Sequence, residues 1–340
     1  MRPTSGTPGP SGAASDGHPL AEPLLGAWLL NACSPEEAAL VEAHLRHCEH
    51  CASDAHTLRA ALPGLAGSEP LPPPPELYER TTTAAFAART PTPRGLPAHV
   101  RPYAAQLATL DAVLRELAPA DWRSVVVEGW TAAQLVSHLA ATDSLLAEQL
   151  AGAPSGDTVP ERTAAYTSWA ARHPYETVHA TWYEAAASLR ESLSRGDPSR
   201  PAELAAGFPL PVADHAVGRA FETWIHTRDI ALTTSRTLPP PSPETLHAMS
   251  DLGARLLPKA LLLTGTPLDS RALTLHLTGE GGGTWQVGPG TTTAELTLDT
   301  VDFCLLTGGR LGAGEIPRTV TGDAGLAEAA LGAAGVFSGP

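Results

Sequence analysis

Apolar residues recur every three to four positions through four stretches between residues 98 and 235, which is the spacing of one helix face. These stretches fall at 107–117, 135–150, 178–193 and 212–233. Before the second stretch stand Thr131 and Gln134, a capping-box pair that predicts a helix start. Amphipathic helices bury such stripes most simply against one another, so the pattern predicts a four-helix bundle over 98–236.

The pattern changes after the Pro-rich segment at 237–243. One further helix is predicted there, and then RALTLHLTG alternates apolar with polar residues, EGGG supplies turn residues, and TWQV and TAELTL are predicted as short strands. Helical periodicity returns near 300–307 and 323–334, with Asp323 as a predicted N-cap. The sequence therefore predicts a small α+β domain over 244–340.

A short unit precedes the bundle and is flanked by low-complexity sequence. Residues 1–17 are rich in Gly, Ser and Pro and are predicted to form a disordered tail, whereas 66–97 is Pro-rich and is predicted to be a linker. Between them, within 18–65, Ser34 and Glu37 form another capping-box pair. The predicted fold class is mainly α, with a small helical module, a bundle and an α+β domain in that order.

The small module contains a metal-ligand spacing in the segment VEAHLRHCEHC. Cys48 and Cys51 form a C-x-x-C turn, which lets two thiolates converge on one ion, and His44 lies one helical turn before Cys48. His18 is the predicted fourth ligand. Two thiolates and two imidazoles fill the tetrahedral coordination shell of a structural zinc site. A unit this small is only marginally stable without a bound metal ion.

Other residues near this spacing leave alternatives open. His47 and His50 could serve as ligands by proximity, although their spacing turns them away from the face that His44 shares with Cys48. Cys33 could be a redox partner for a zinc thiolate, but the usual role of such a cysteine is that of a small buried apolar side chain. Cys304 is predicted to belong to a core.

A second ligand set is predicted in the bundle. Glu222 and His226 are four residues apart and therefore adjacent on the fourth helix, and Arg219 and Asp229 extend the same stripe. A polar stripe of this kind can also be solvated surface. His138 lies among the apolar residues of the second helix, where a histidine hydrogen-bonded within the core is the common alternative. Together these residues predict a three-ligand metal site with an open position, as catalysis at zinc requires.

The formal charge of −14 and the pI near 5.3 disfavour binding to nucleic acid or to an anionic membrane, because both partners are negative. The N-terminal residues lack the apolar segment of a secretory signal, and no apolar run approaches the roughly 20 residues of a membrane span. A cytoplasmic location is therefore expected. Nearly all basic residues are Arg, with Lys259 the single Lys, which is typical of a GC-rich genome such as that of an actinobacterium.

Residues 18–62, with SPEE followed by the H-x3-C-x2-C spacing, resemble the zinc-binding anti-sigma factor domain. The resemblance implies a module that binds a sigma factor of the extracytoplasmic-function type. A zinc staple without a sigma partner is the alternative.

The segments WTAAQLVSHL at 130–139 and ETWIHTRD at 222–229 resemble the mycothiol-dependent maleylpyruvate isomerase family, within the DinB-like metal-binding bundles. The resemblance implies that His138, Glu222 and His226 bind zinc or another divalent metal. It also implies mycothiol as a low-molecular-weight thiol cofactor, a small-molecule substrate, and thiol-dependent isomerisation or S-transfer.

Two further residues are catalytic candidates. Asp229 could accept a hydrogen bond from the imidazole of His226, and its alternative role is a surface ion pair with an arginine. Arg310 follows Gly308 and Gly309 and could bind a carboxylate or the cofactor, although it could also be a surface arginine. The predicted function is a mycothiol-dependent enzyme with a regulatory zinc finger. The alternatives are an anti-sigma-type regulator whose bundle senses without turnover, and a finger that mediates self-association.

Overall fold

The protein is described here from a computed structural model, which covers residues 18–65, 81, 95–154, 156–202 and 209–338. The predicted tail at 1–17 and most of the predicted linker at 66–97 lie outside these residues. The chain divides into two compact units, one ending at Pro74 and the other beginning at Pro75. None of the helices described is long and apolar enough to cross a membrane.

The N-terminal unit is built from short helices. They are α1 (His18–Ala21), α2 (Leu25–Leu29), α3 (Pro35–Leu45) and α4 (Glu49–Leu65), with a 3-10 turn at Glu22–Leu24. The predicted capping box is confirmed, because Ser34 Oγ accepts from the Glu37 amide at 3.2 Å and Glu37 accepts from the Ser34 amide at 2.8 Å. The buried apolar cluster of this unit consists of Leu25, Val41, Cys51 and Ala55. A core this small contributes little to the stability of the unit, which therefore needs a further stabilising element, such as a bound metal ion.

The second unit begins with a helical bundle. Its helices are α5 (Arg101–Arg115), α6 (Ala132–Leu150), α7 (Val159–Ala170), α8 (Tyr175–Arg195) and α9 (Val212–Thr233). Helix α6 packs against α7 and α8, and α5 packs against α9. Two short hairpins accompany them, β1 (Val125–Val127) with β2 (Trp130–Thr131), and β3 (Pro201–Ala202) with β4 (Leu210–Pro211). The predicted capping box of Thr131 and Gln134 is present at the start of α6.

Helix α7 corrects the sequence interpretation, which placed only loop between the second and third bundle helices. Its start carries a capping box between Thr158 and Glu161 and a proline in the first turn, both of which are start signals. Its apolar periodicity is weak because Thr163 and Thr167 occupy buried positions where an apolar side chain is usual. The start signals were sufficient to predict this helix.

The C-terminal part is the predicted α+β layer. It comprises α10 (Pro243–Leu263), β5 (Arg271–Thr278), β6 (Gly283–Val287), β7 (Thr291–Asp299), α11 (Thr300–Thr307), β8 (Arg318–Gly322) and α12 (Ala324–Ala333). The sheet order is β6-β5-β7-β8, with β5 and β7 parallel and the other pairs antiparallel. Strand β8 was not predicted. Asp323 is the N-cap of α12, as predicted, and accepts from the Leu326 amide at 3.0 Å.

Helix α10 joins the bundle to the sheet layer. Its Met249 and Leu252 belong to the bundle core, whereas Leu257 and Leu261 belong to the core beneath the sheet. Because one helix contributes to both cores, it ties the bundle to the sheet layer. The mainly α fold class with a C-terminal α+β part is confirmed.

Candidate metal centres

The polar stripe of α9 faces the interior of the second unit. Arg219 is 4% exposed and His226 is 1% exposed, so the stripe is not solvated surface. The adjacent face buries Trp224 and Ile225 in the bundle core. Helix α9 therefore carries charged groups into a buried region, where each needs a partner.

His138 on α6 meets Glu222 and His226 across the bundle. Nε2 of His138 lies 2.8 Å from Oε1 of Glu222, and the rings of His138 and His226 are nearly perpendicular with centroids 5.6 Å apart. One ligand atom from each of the three residues lies within 4.8 Å of the other two. Two imidazoles and one carboxylate are the donor set of many catalytic zinc sites.

The outer contacts of both imidazoles fit a metal site. Nδ1 of His138 lies 3.0 Å from Oγ1 of Thr163 on α7, and Nδ1 of His226 lies 3.4 Å from Oδ2 of Asp229. An imidazole that binds a metal through one nitrogen usually donates its other N–H to such an oxygen. Thr163 was missed by sequence reasoning because helix α7 was missed.

Arg219 supports the carboxylate of Glu222 from behind. Its guanidinium contacts Oε2 of Glu222, and its Nε donates to Asp143 Oδ1 at 2.8 Å. Burial would raise the pKa of Glu222, but the charge of Arg219 and the contact with His138 outweigh burial and hold that pKa well below its usual range. Glu222 is therefore a carboxylate at neutral pH, as a metal ligand must be.

Asp143 was not predicted as part of the site. It is completely buried on α6, and burial raises its pKa while the contact with Arg219 opposes the rise. Burial also raises the pKa of Tyr103, which lies close to Asp143. A lone acid inside the apolar stripe LAATDSLL was the signal that could have identified Asp143.

Arg310 and Asp229, the two catalytic candidates, form an ion pair. Nη2 of Arg310 donates to Oδ2 of Asp229 at 2.6 Å, and it lies 3.5 Å from Nδ1 of His226. Both side chains are mostly buried, at 12% and 11% exposure, so neither is a surface group. Burial alone would raise the pKa of Asp229, but His226 and Arg310 lower it.

A cavity of about 310 Å³ opens beside these residues. His138, Glu222 and His226 lie on its wall together with Arg219 and Arg310, and most of the remaining wall comes from α9, α10, α11 and the C-terminal residues. The candidate ligands are thus reachable by a small molecule from within the fold.

The N-terminal unit brings three of its predicted ligands together. One ligand atom each from His44, Cys48 and Cys51 lies within 4.8 Å of the other two. Cys51 is fully buried, and burial together with the neighbouring Cys48 raises its pKa to about 11. The side chain of His18 lies outside the described part of the structure, so its role as fourth ligand stays a prediction.

The alternative ligands are placed differently. His47 and His50 are exposed, and His50 lies 3.5 Å from Asp54 instead of joining the cluster. Cys33 is half-buried, with its thiol 3.9 Å from the carbonyl of Leu24. Cys304 is buried beside Ser250 in the second unit, as predicted for a core cysteine.

We expect Cys304 to resist alkylation in the native protein. Burial raises its pKa to about 12, so its thiolate fraction at pH 8 is on the order of a thousandfold below that of an exposed cysteine. Peptide mass spectrometry after timed iodoacetamide treatment at pH 8 would measure this, with a urea-unfolded sample as control. Labelling of Cys304 in the folded chain at the rate seen in urea would contradict its buried position.

The geometry defines a helical bundle with a candidate three-residue metal site, preceded by a small module with a second candidate site. The family model of the mycothiol maleylpyruvate isomerase N-terminal domain matches residues 103–231, and a model described as "Putative zinc-finger" matches residues 21–52. Uncharacterized protein Rv0036c of Mycobacterium tuberculosis (strain ATCC 25618 / H37Rv) is 30% identical over 211 residues, which cover 58% of this chain and 79% of the relative. Uncharacterized protein MT0041 of strain CDC 1551 / Oshkosh matches to the same extent. The chain belongs to the mycothiol maleylpyruvate isomerase family and carries an added zinc finger.

Two solved structures are also similar. The crystal structure of the mycothiol-dependent maleylpyruvate isomerase shares 16% identity and a TM-score of 0.49, covering 65% of this chain and 91% of that one. A mutant of that enzyme matches with 15% identity, a TM-score of 0.48 and the same coverage.

Proposed function

We propose that the bundle is a zinc-dependent enzyme domain that uses a low-molecular-weight thiol to isomerise a small molecule or to transfer sulfur to it. The observation that carries the proposal is the convergence of His138, Glu222 and His226 on the wall of a cavity. Three protein ligands leave a position open for a further ligand, which distinguishes catalytic zinc sites from closed structural ones. The cavity gives that ligand room.

A zinc ion held by these residues would lower the pKa of a coordinated thiol and make it nucleophilic at neutral pH. The surrounding residues prepare the site for this. Arg219 keeps Glu222 ionised and fixes one of its oxygens, which leaves Oε1 directed at His138. Thr163 and Asp229 fix the two imidazole rings through their Nδ1 atoms. The ligands are thus oriented before the metal binds, which lowers the entropic cost of binding.

Arg310 is the proposed contact for the thiol cofactor. Its guanidinium is held by Asp229 and by the carbonyl of Gly308 at 2.9 Å, and it also lies on the cavity wall. A planar guanidinium fixed in this way presents its remaining N–H groups in a defined direction. Mycothiol is the proposed thiol, because it is the one named by the matching family.

The N-terminal finger is proposed to be a closed structural zinc site with a regulatory role. Its cluster belongs to a compact unit of its own, and Cys51 is fully buried. The proposed partner is a sigma factor of the extracytoplasmic-function type. The alternative function is a regulator whose bundle binds metal and thiol without turnover.

Zinc content per chain tests the division into two sites. We expect two zinc ions in the wild-type chain and one in the Cys48→Ser/Cys51→Ser variant, because the bundle ligands are untouched by the change. Elemental analysis measures the zinc, and calorimetry with mycothiol should show the same thiol affinity in both proteins.

The proposed enzyme site would be contradicted if the wild-type chain held one zinc ion, the variant held none, and neither protein showed heat of thiol binding. The matched control is Cys304→Ser, which changes a buried cysteine far from the finger cluster in the sequence and should keep both ions. Turnover on added electrophiles separates the enzyme from the sensing alternative, which predicts thiol binding without product.

A further inference from the structure

The cavity beside the candidate ligands is walled mainly by apolar side chains. Those that face it from α9, α10 and α11 include Phe221, Ile225, Met249, Leu252, Leu256 and Phe303. Aliphatic and aromatic walls favour ligands whose own surface is apolar, because burial of both surfaces removes them from water.

The charged residues of the cavity wall already have partners of opposite charge. Arg219 pairs with Asp143 and Glu222, and Arg310 pairs with Asp229. A third charged residue of the wall, Asp214, accepts two hydrogen bonds from Arg255, at 2.8 and 2.7 Å. Among the described residues, therefore, the wall offers no arginine without a carboxylate partner.

The charge balance of the site limits what else can bind. A divalent metal with the Glu222 carboxylate has one positive charge left, and one bound thiolate neutralises it. A dianion such as a small dicarboxylate would then add two negative charges to an apolar cavity whose arginines are already paired. Burial of unpaired charge is costly, so such a ligand is disfavoured.

Gly218 provides volume in the same cavity. It lies within α9, where a glycine destabilises the helix relative to alanine. The position that a side chain would occupy there is open space. A Cβ added there would have Leu252 Cδ2, at 4.0 Å, as its nearest neighbour. Gly253 across the cavity is different, because its Cβ would approach Phe303 Cε1 to 3.1 Å. Close packing thus accounts for Gly253 but not for Gly218, which leaves room for a ligand.

We infer that the substrate that shares this cavity with the thiol is an uncharged, mainly apolar small molecule instead of a small dicarboxylate. The inference rests on the proposed function for the identity of the site as a substrate site. It adds the chemical class of the substrate, and the apolar wall, the paired arginines and the space beside Gly218 support it independently of the metal.

A fluorescent probe tests the inference on the zinc-loaded full chain. N-phenyl-1-naphthylamine is uncharged and apolar, and we expect it to bind with one molecule per cavity. A leucine at Gly218 takes the space of about two methylene groups of the ligand, so Gly218→Leu should weaken binding roughly tenfold. Gly218→Ala should weaken it less while preserving the helix. Millimolar maleate, a small dicarboxylate, should not displace the probe.

Gly332→Leu is the matched control. Gly332 also lies in a helix, is exposed, and has nothing within 4 Å of its added Cβ, so the probe affinity should stay at the wild-type value. Displacement by maleate, or equal probe affinity in Gly218→Leu and wild type, would overturn the inference. Zinc content and mycothiol calorimetry on the same samples separate the two ideas. Loss of zinc and thiol binding with probe binding intact rejects the proposed function, whereas the converse rejects the apolar substrate.

Discussion

A Glu222→Gln chain should bind the bundle metal at least about a hundredfold more weakly than the wild type, since loss of a direct ligand exceeds the 10- to 100-fold cost typical of outer contacts. Glutamine keeps the size of the side chain but removes its charge. The metal would then meet two neutral imidazoles beside the guanidinium of Arg219, which contacts Glu222 in the wild type. Competition with a chromophoric zinc chelator measures the affinity, in a Cys48→Ser/Cys51→Ser background so that the finger does not contribute.

The control for this prediction is Glu184→Gln, which makes the same change on an exposed position of α8. Its metal affinity should equal that of the background protein. An unchanged affinity in Glu222→Gln would mean that the carboxylate serves only as the partner of Arg219 and His138. The three-residue site would then be rejected, whatever becomes of the finger.

The candidate ligands could be picked out from the sequence because local patterns encode them. Glu222 and His226 are one turn apart on a strongly periodic helix, and His138 follows a capping box that fixes the start of its own helix. Each pattern depends only on neighbours in sequence. Their meeting across the bundle, with His138 Nε2 2.8 Å from Glu222, depends in addition on the packing of α6 on α7 and α8 and of α9 on α5.

The partners of these ligands were harder to predict because they are distant in sequence. Asp143 and Arg219 are 76 residues apart, and Arg310 and Asp229 are 81 apart. The local periodicity of a helix does not specify which buried acidic residue pairs with which buried arginine. Asp229 and Arg310 were each predicted from the sequence as catalytic candidates. Their ion pair forms only because the C-terminal layer packs against α9.

Strand β8 shows a different limit. Its five residues, Arg318–Gly322, are half-exposed, and the side chains that alternate there are arginine, threonine and valine without a continuous apolar face. An edge strand of this kind forms only when it pairs with its neighbour, which here is β7. Tertiary contacts and not the local sequence therefore determine whether these residues become a strand. Helix α7, in contrast, carried adequate start signals in its own sequence.

Asp143→Ala should lower the free energy of unfolding of the second unit by about 3 to 5 kcal/mol, the cost typical of removing one partner of a buried ion pair. Asp143 is completely buried and accepts from Arg219 Nε at 2.8 Å, so the change leaves a buried guanidinium with Glu222 as its remaining carboxylate. Urea denaturation followed by near-ultraviolet circular dichroism measures the loss. EDTA should be present throughout, because bound metal would add its own stabilisation.

Two comparison variants separate charge from packing. Asp143→Leu/Arg219→Met removes both charges and should recover most of the lost stability, since apolar side chains of similar size often replace a buried pair without cost. The same double variant should bind metal more weakly than the wild type, because Glu222 has lost the cation that orients it. Glu191→Ala breaks an exposed pair with Arg195 and should leave the urea midpoint unchanged. A midpoint for Asp143→Ala equal to that of Glu191→Ala would show that Arg219 is adequately balanced by Glu222 alone.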